Sequence, residues 1–275
     1  MDLEIRRARP RDKRAVREAV RTIWNGHDRV PRLFDRWVTH RSGPFFVALV
    51  RGRVVGMGKL TVVSAREGWL EGGRVAPRYR RRGIATALIA HRLAYAESRG
   101  LAVLRFSTAS DNTPIHRAAR RFRFRRAARL AGFLADARAG KRPRPATRAE
   151  LGPLRRALGR YIEFGPGWAW RELLATDIER AVAAGRAFRS DGAAAIVGAA
   201  ADGTLPVLAF GGGGSAAVAL LAALRAEAHA RDLRNVEVYL GSAAERRAAL
   251  RAGYERPWDD EAYLFERRLR AADVR

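Results

Sequence analysis

Alternating and helical spacings of apolar residues divide the chain into short elements before any single residue stands out. A strand is predicted over 3–8. Apolar residues recur at helical spacing over 12–24 (Val16, Ala19, Val20, Ile23), and 31–40 reads as a second short helix. Two β-rich runs, 44–50 and 54–63, meet at the hairpin turn Arg51-Gly52, and a further strand, 69–75, follows the turn Arg66-Glu67-Gly68. A basic, glycine-containing loop then opens a helix over 84–98, followed by a strand over 103–108. Thr113-Pro114 supplies an N-cap and a first-turn proline for a helix reaching Arg121, and 122–136 is predicted to form closing strands.

Residues 138–147 (RAGKRPRPAT) hold two prolines, a glycine and no apolar anchor larger than Ala, which is the pattern of a linker. Beyond it the order of elements recurs. Laying Arg99-Gly100-Leu101 over Arg231-Asp232-Leu233 matches helix 84–98 to 216–230 and strand 103–108 to 235–240. Runs 187–199 and 205–210 stand for the earlier strands. The expected domains are therefore 1–137 and 148–275, joined by the linker 138–147.

Composition narrows the class. The chain has 275 residues and no Cys, so it has no disulfide framework and no thiolate nucleophile or metal ligand. The five histidines show no metal-ligand spacing, and no metal is expected. MDLEIRR has no apolar stretch behind it, and the long uncharged run 203–224 is cut by Pro206 and four glycines. A cytoplasmic protein without membrane contact is expected. The formal net charge is +26, and residues 1–140 carry 32 basic against 11 acidic side chains, so an anionic partner belongs on the first half. All but three of the basic residues are Arg, and Gln is absent. A GC-rich genome and a thermophilic host fit that bias.

The most informative segment is 75–86, VAPRYRRRGIAT, between a predicted strand and a helix that starts with small residues. Free N–H groups at a helix start, with the positive end of the helix dipole behind them, form an anion site, and Gly83 permits close approach. Arg80, Arg81 and Arg82 add guanidinium forks suited to phosphate oxygens. A basic turn on a solvated surface is the alternative reading.

Arg80-x-x-Gly83-x-Ala85 after Val75 resembles the acyl-coenzyme A loop of the GCN5-related N-acetyltransferases (GNAT), and the order of elements over 3–136 matches that family. The resemblance implies an α/β (α+β) fold of two tandem GNAT-like domains, each a mixed, mostly antiparallel sheet flanked by helices, the second degenerate. It implies that Val75, Ala76, Arg80, Arg81, Arg82, Gly83, Ile84, Ala85 and Thr86 bind acetyl-CoA. The loop amides would hold the pyrophosphate, and the strand ending at Val75 the pantetheine arm. Asn112 matches a position that commonly contacts this co-substrate; a turn role before Thr113 is its alternative.

Acetyl transfer needs a neutral amine, a polarised thioester carbonyl and a proton for the leaving thiolate. Glu71 is the only acid in 69–75, and alternation places it on one face with Trp69, Gly73 and Val75. The family often carries a basic carboxylate on this strand, which makes Glu71 the expected general base; an ion pair with an arginine is the alternative. The family's usual tyrosine acid falls at Ala119, so Tyr79, His116 or solvent would replace it.

Residues 24–31 (WNGHDRVP) with Phe34 and Trp37, and 70–75 (LEGGRV), look like the animal histidine N-acetyltransferases, which also carry a second, degenerate half. That likeness implies a small-molecule primary amine, such as an amino acid, as acceptor. Asp28 would attract it, and Trp24, Phe34 and Trp37 would wall it; helix packing is the ordinary explanation for those rings. In the second half, Gly211 to Gly214 before Ser215-Ala216 takes the place of the phosphate loop without any arginine. Two other functions compete: a basic nucleic-acid-binding protein, disfavoured because aromatics do not interleave with the basic residues, and a coenzyme A-binding pseudoenzyme.

Overall fold

The computed structural model describes residues 2–165 and 168–269, which fall into two compact units. The first takes the chain up to Phe106, Pro114–Arg125 and the residues from Phe265; the second takes Ser107–Thr113 and Arg126–Leu264. Among the described residues, no helix is long and apolar enough to cross a membrane.

The first unit runs β1 (Leu3–Arg7), α1 (Lys13–Val20), α2 (Val30–Thr39), β2 (Phe45–Val50), β3 (Arg53–Val62), β4 (Glu67–Val75), α3 (Ile84–Ser98), β5 (Val103–Ala109) and α4 (Thr113–Arg121). Its strands lie in the order β1-β2-β3-β4-β5, antiparallel except for the parallel pair β4–β5. The apolar stripe of α1 and α2 (Val16, Val20, Phe34, Trp37) covers one face of the sheet over Val47 and Met57. Ile84 and Leu88 of α3 cover the other face over Phe46, Ala48 and Val55. The hairpin turns on Arg51 and Gly52, both at positive φ (49° and 71°), as a two-residue type I′ connection requires.

In the second unit come β6 (Arg125–Asp136), α5 (Leu151–Ala157), β7 (Tyr161–Gly165), β8 (Ala169–Glu172), α6 (Ala175–Ala183), β9 (Ala187–Ser190), β10 (Ala193–Val197), β11 (Thr204–Gly212), α7 (Gly214–His229), β12 (Asn235–Leu240), α8 (Ala243–Arg251) and the first half of β13 (Glu261–Arg268), whose residues from Phe265 count with the first unit. The sheet order is β6-β12-β11-β10-β9, with β11 and β12 parallel; β7 and β8 form a separate hairpin. The order β11-α7-β12-α8 repeats β4-α3-β5-α4.

Three features depart from the sequence pattern. Of the stretch 122–136, residues Arg125–Asp136 form one long strand, β6, which pairs with β12 through six residues, Ala131–Asp136 against Asn235–Leu240. The compact units therefore do not divide at 138–147: β6 from Arg126 onward counts with the second unit, and the chain from Phe265 counts with the first. Nor does 138–147 hang free. The Arg138 amide donates to the Arg225 carbonyl (3.2 Å), Arg142 Nε to Glu227 Oε2 (2.8 Å) and the Ala146 amide to the Ala187 carbonyl (2.8 Å), so its polar groups are tied to the second unit.

Candidate active site

Between β4 and α3 the chain turns through Pro77–Tyr79 and then Arg80–Gly83. Arg81 (φ 59°) and Gly83 (φ 78°) are both left-handed, which directs successive amides to one side as an anion-binding concavity. Among the described residues nothing accepts from the amides of Arg81, Arg82 or Gly83, and Gly83 caps α3 without a side-chain bond. A Cβ placed on Gly83 would meet nothing within 4 Å, so the space before the helix is open. The three arginines are exposed. Arg80 Nε reaches back to the Val75 carbonyl (3.4 Å), and the guanidinium of Arg82 lies 5.6 Å from the Tyr79 ring. Ala85 is exposed and Thr86 half-buried on the first turn, whereas Ile84 is buried under the sheet and acts as an anchor. The Ala76 amide is already bound to the Val55 carbonyl (2.9 Å).

Strand β4 pairs with β5 only over Glu67–Trp69 against Val103–Arg105. From Leu70 to Val75 that edge of β4 has no ladder partner among the described residues, so its main-chain groups are available to a ligand. On its other edge β4 carries a bulge: Lys59 pairs with Glu71 but Met57 with Arg74. The extra residue is absorbed at Gly72-Gly73, where Gly72 sits at φ 61° and a Cβ would come within 2.5 Å of the Trp37 ring. This corrects the expected alternation. Glu71 shares its face with Trp69 and Arg74, and Val75 is turned to the opposite face, against α3.

Glu71 is half-buried and accepts from Thr61 Oγ1 at 2.6 Å, not from an arginine. Opposite it, Lys59 is buried, with Nζ donating to the Gly43 carbonyl and, at 3.3 Å, to that of Leu60. Burial pulls the lysine down to about 8, and the Glu71 carboxylate opposes that shift. On the other face, Arg92 of α3 lies in the space left by Gly58, where a Cβ would come within 2.8 Å of its guanidinium. Its Nε donates to the Leu88 carbonyl (3.1 Å) and Nη1 to that of Lys59 (3.3 Å), and burial lowers its pKa to about 10.

A match to the GNAT acetyltransferase family model spans residues 13–124, which takes in this loop, the bulged strand and both flanking helices. Those residues form a GNAT acetyltransferase domain. Solved structures with the same fold include a candidate acetyltransferase from Thermoplasma acidophilum (15% identity, 97% of this chain and 100% of that one, TM-score 0.63). A GCN5-related N-acetyltransferase from Sphaerobacter thermophilus is also similar (13%, 98% and 96%, TM-score 0.62), as is a candidate acetyltransferase from Pyrococcus horikoshii (15%, 98% and 90%, TM-score 0.56). No curated protein matches the sequence. Acetyl-CoA is the co-substrate typical of GNAT enzymes. Among the described residues no group of three or more His, Asp or Glu could hold a metal ion.

The expected acceptor wall is corrected in part. Phe34 and Trp37 of the GNAT domain are buried, each edge-on to Phe45 (5.9 and 5.2 Å), so they are core residues. Asp28 is also buried. It accepts from the Val30 amide (2.8 Å) at the start of α2 and from Arg74 Nε (2.5 Å), so an arginine already neutralises it. Only Trp24 faces solvent. It and Asn25 hold left-handed backbones (φ 48° and 52°), a strained turn that stands the indole 60% exposed, 4.2 Å from the Arg74 guanidinium. Arg74, Lys59 and Arg92 were missed by sequence reasoning; the Gly72-Gly73 pair was the available signal for the bulge that sets Arg74 on the face of Lys59 and Glu71, and Gly58 for the space that Arg92 fills.

Asn112 belongs to the second unit, where its Nδ2 donates to Thr108 Oγ1 (2.8 Å), the turn role. Ala119 is buried in α4 and offers no acid; His116, half-buried, packs 5.6 Å from the Phe265 ring, and Tyr79, also half-buried, lies between guanidinium groups.

Proposed function

We propose that this protein moves the acetyl group of acetyl-CoA to a primary amine, most fittingly a small molecule such as an amino acid, by direct attack with Glu71 as general base. The observation that carries this reading is the open run of amides at Arg81–Gly83 beside the unpaired edge of β4. A diphosphate would take the amides, with Arg80, Arg81 and Arg82 screening its charge. The pantetheine arm would lie along Leu70–Val75, and a β4 amide would donate to the thioester oxygen as charge develops there.

The amine nitrogen attacks the thioester carbon and passes a proton to Glu71, directly or through water. The C–S bond then breaks, and the coenzyme A thiolate leaves with its electron pair. Thr61 fixes one oxygen of Glu71 and leaves the other for this proton. Trp24 over Arg74 is the exposed surface that would border the acceptor.

Free-thiol release from acetyl-CoA, screened over amino acids including histidine and then peptides and polyamines, tests this. Turnover on one amine is expected, with Glu71→Gln lowering kcat about 10²–10⁴-fold while the KM for acetyl-CoA holds. Binding of acetyl-CoA without turnover on any amine would make the chain a pseudoenzyme. No acetyl-CoA binding at millimolar ligand, with steeply salt-dependent DNA or RNA binding, would turn the reading to nucleic acid.

A further inference from the structure

The buried stripe of α3 is apolar at Ile84, Leu88, Leu93 and Ala96, yet Arg92 stands in the same stripe, only 5% exposed. A guanidinium is costly to bury without an acid beside it, and elsewhere in the first unit one is supplied. Arg105 lies between Glu67 (2.6 Å) and Glu266 (2.7 Å), and Arg74 is joined to Asp28. Arg92 breaks the pattern. Among the described residues no carboxylate meets it, and its own bonds run through Nε and Nη1 to the main-chain carbonyls of Leu88 and Lys59. Nothing there accepts from Nη2.

The sheet is cut away to receive this side chain. Gly58 on β3 leaves the space for Nε, Cζ and Nη1, and a Cβ on Gly73 of β4 would lie 3.7 Å from Nη2. Gly73 is exposed and belongs to the bulge, on the strand whose outer edge has no ladder partner from Leu70 to Val75 among the described residues. The free end of a buried cation therefore reaches the stretch of β4 that would hold a ligand. The bulge also divides the two faces. The absent Cβ of Gly72 points to Trp37 on α2, the side that carries Glu71 and Arg74, and that of Gly73 points to Arg92 on α3. A carboxylate and a guanidinium thus flank one open edge from opposite sides.

We infer, resting on the acetyl-transfer reading above, that Arg92 is a further catalytic residue whose Nη2 receives the coenzyme A sulfur as the C–S bond breaks. The amine that gives its proton to Glu71 attacks the thioester carbon from one side of the edge. The new C–N bond displaces the sulfur toward the other side. The sulfur keeps the electron pair of the broken bond, and the guanidinium holds that charge through a charge-assisted hydrogen bond without giving up its own proton. Burial lowers Arg92 only to about 10, so it stays cationic at neutral pH, and His91 beside it is held below its ordinary value by burial and by the Arg92 charge. Water protonates the thiolate on release, so the chemistry closes without an acid at Ala119.

Calorimetry and kinetics on the full chain provide the test. A cation beside the sulfur favours the thiolate, so coenzyme A should gain about fivefold or more in affinity between pH 6 and pH 9, relative to desulfo-coenzyme A, which has no thiol to ionise. Arg92→Met keeps an unbranched stem and removes the charge. It should erase that difference and lower kcat about 100-fold while the KM for acetyl-CoA holds, with no loss of melting temperature, since the charge removed has no acid beside it. Where that variant fails to fold, the comparison of the two ligands on the unaltered chain decides alone. Unchanged kcat in a folded variant, or the same pH dependence for both ligands on the unaltered chain, would overturn the inference and leave acetyl transfer standing. No acetyl-CoA binding by the unaltered chain would remove both.

Discussion

In the first unit β4 leads through Ala76–Gly83 into α3; in the second, β11 leads through Gly211–Gly213 into α7. Both turns enter a long helix after a strand, and both are rich in residues that permit unusual backbone. The first uses that freedom to leave amides open: Gly83 at φ 78° has nothing within 4 Å of its absent Cβ. The second uses it to bring main chains together. A Cβ on Gly211 would stand 2.0 Å from the Ala157 carbonyl oxygen, and one on Gly212 would stand 2.6 Å from the Gly192 oxygen. The arginines follow the same division, with Arg80, Arg81 and Arg82 around the open turn and none in the packed one. Gly211 and Gly212 at the end of β11 therefore serve close packing, whereas Gly214 (φ 62°) meets nothing within 4 Å; what sets the first turn apart is one open glycine behind three arginines.

The largest expected effect separates the turns by charge. Arg82→Glu with Gly83→Glu puts two carboxylates where a diphosphate would sit, and acetyl-CoA affinity measured by calorimetry should fall at least 100-fold. Ser215→Glu places an exposed acid at the start of α7 and should leave that affinity unchanged within twofold. Equal losses in both variants would mean that long-range charge, not the open turn, attracts the ligand.

A second pair of variants separates the turns by space. Gly211→Ala forces a Cβ onto the Ala157 carbonyl, and denaturant unfolding should show a loss of about 3 kcal/mol. Gly83→Ala meets no neighbour, so only the left-handed backbone is charged against it, about 1 kcal/mol. Similar losses at both positions would remove the distinction between an open and a packed turn.

Local periodicity made much of this legible in advance. Helix 84–98 was bounded by Gly83 and Gly100, both at positive φ, and the Arg51-Gly52 hairpin announced itself as a dipeptide. The phosphate-type turn was legible because all its parts lie within a dozen residues. The course of β6 was not. Its apolar residues 130–135 fit any sheet, and only the edge of β12, a hundred residues on, selects the partner. The same holds for Asp28, whose role is decided by Arg74 forty-six positions away, and for Glu163 and Glu237, brought together from separate strands. The bulge at Gly72-Gly73 inverted the face of Val75 because one inserted residue shifts a period of two.

The smallest expected effect compares the acids that the two units carry near these strands. Glu71 has a hydroxyl donor and a lysine opposite; Glu163, with no basic partner among the described residues, is pushed up to about 8 from an ordinary 4.5 by burial and by Glu237. The folded chain then holds a proton on Glu163 that the unfolded chain has released, so stability should fall as pH rises from about 4.5 through about 8. Asp12, Asp177, Glu227 and Glu261 are held below their usual values, by arginine hydrogen bonds that outweigh burial for the last three. Their contribution has the opposite sign and is lost only as pH falls through the acid range, so the two windows do not overlap. Between pH 6 and 8 the decline should be about 1–2 kcal/mol, and Glu163→Gln should flatten it. A slope of the same size in that variant would place the titrating group elsewhere.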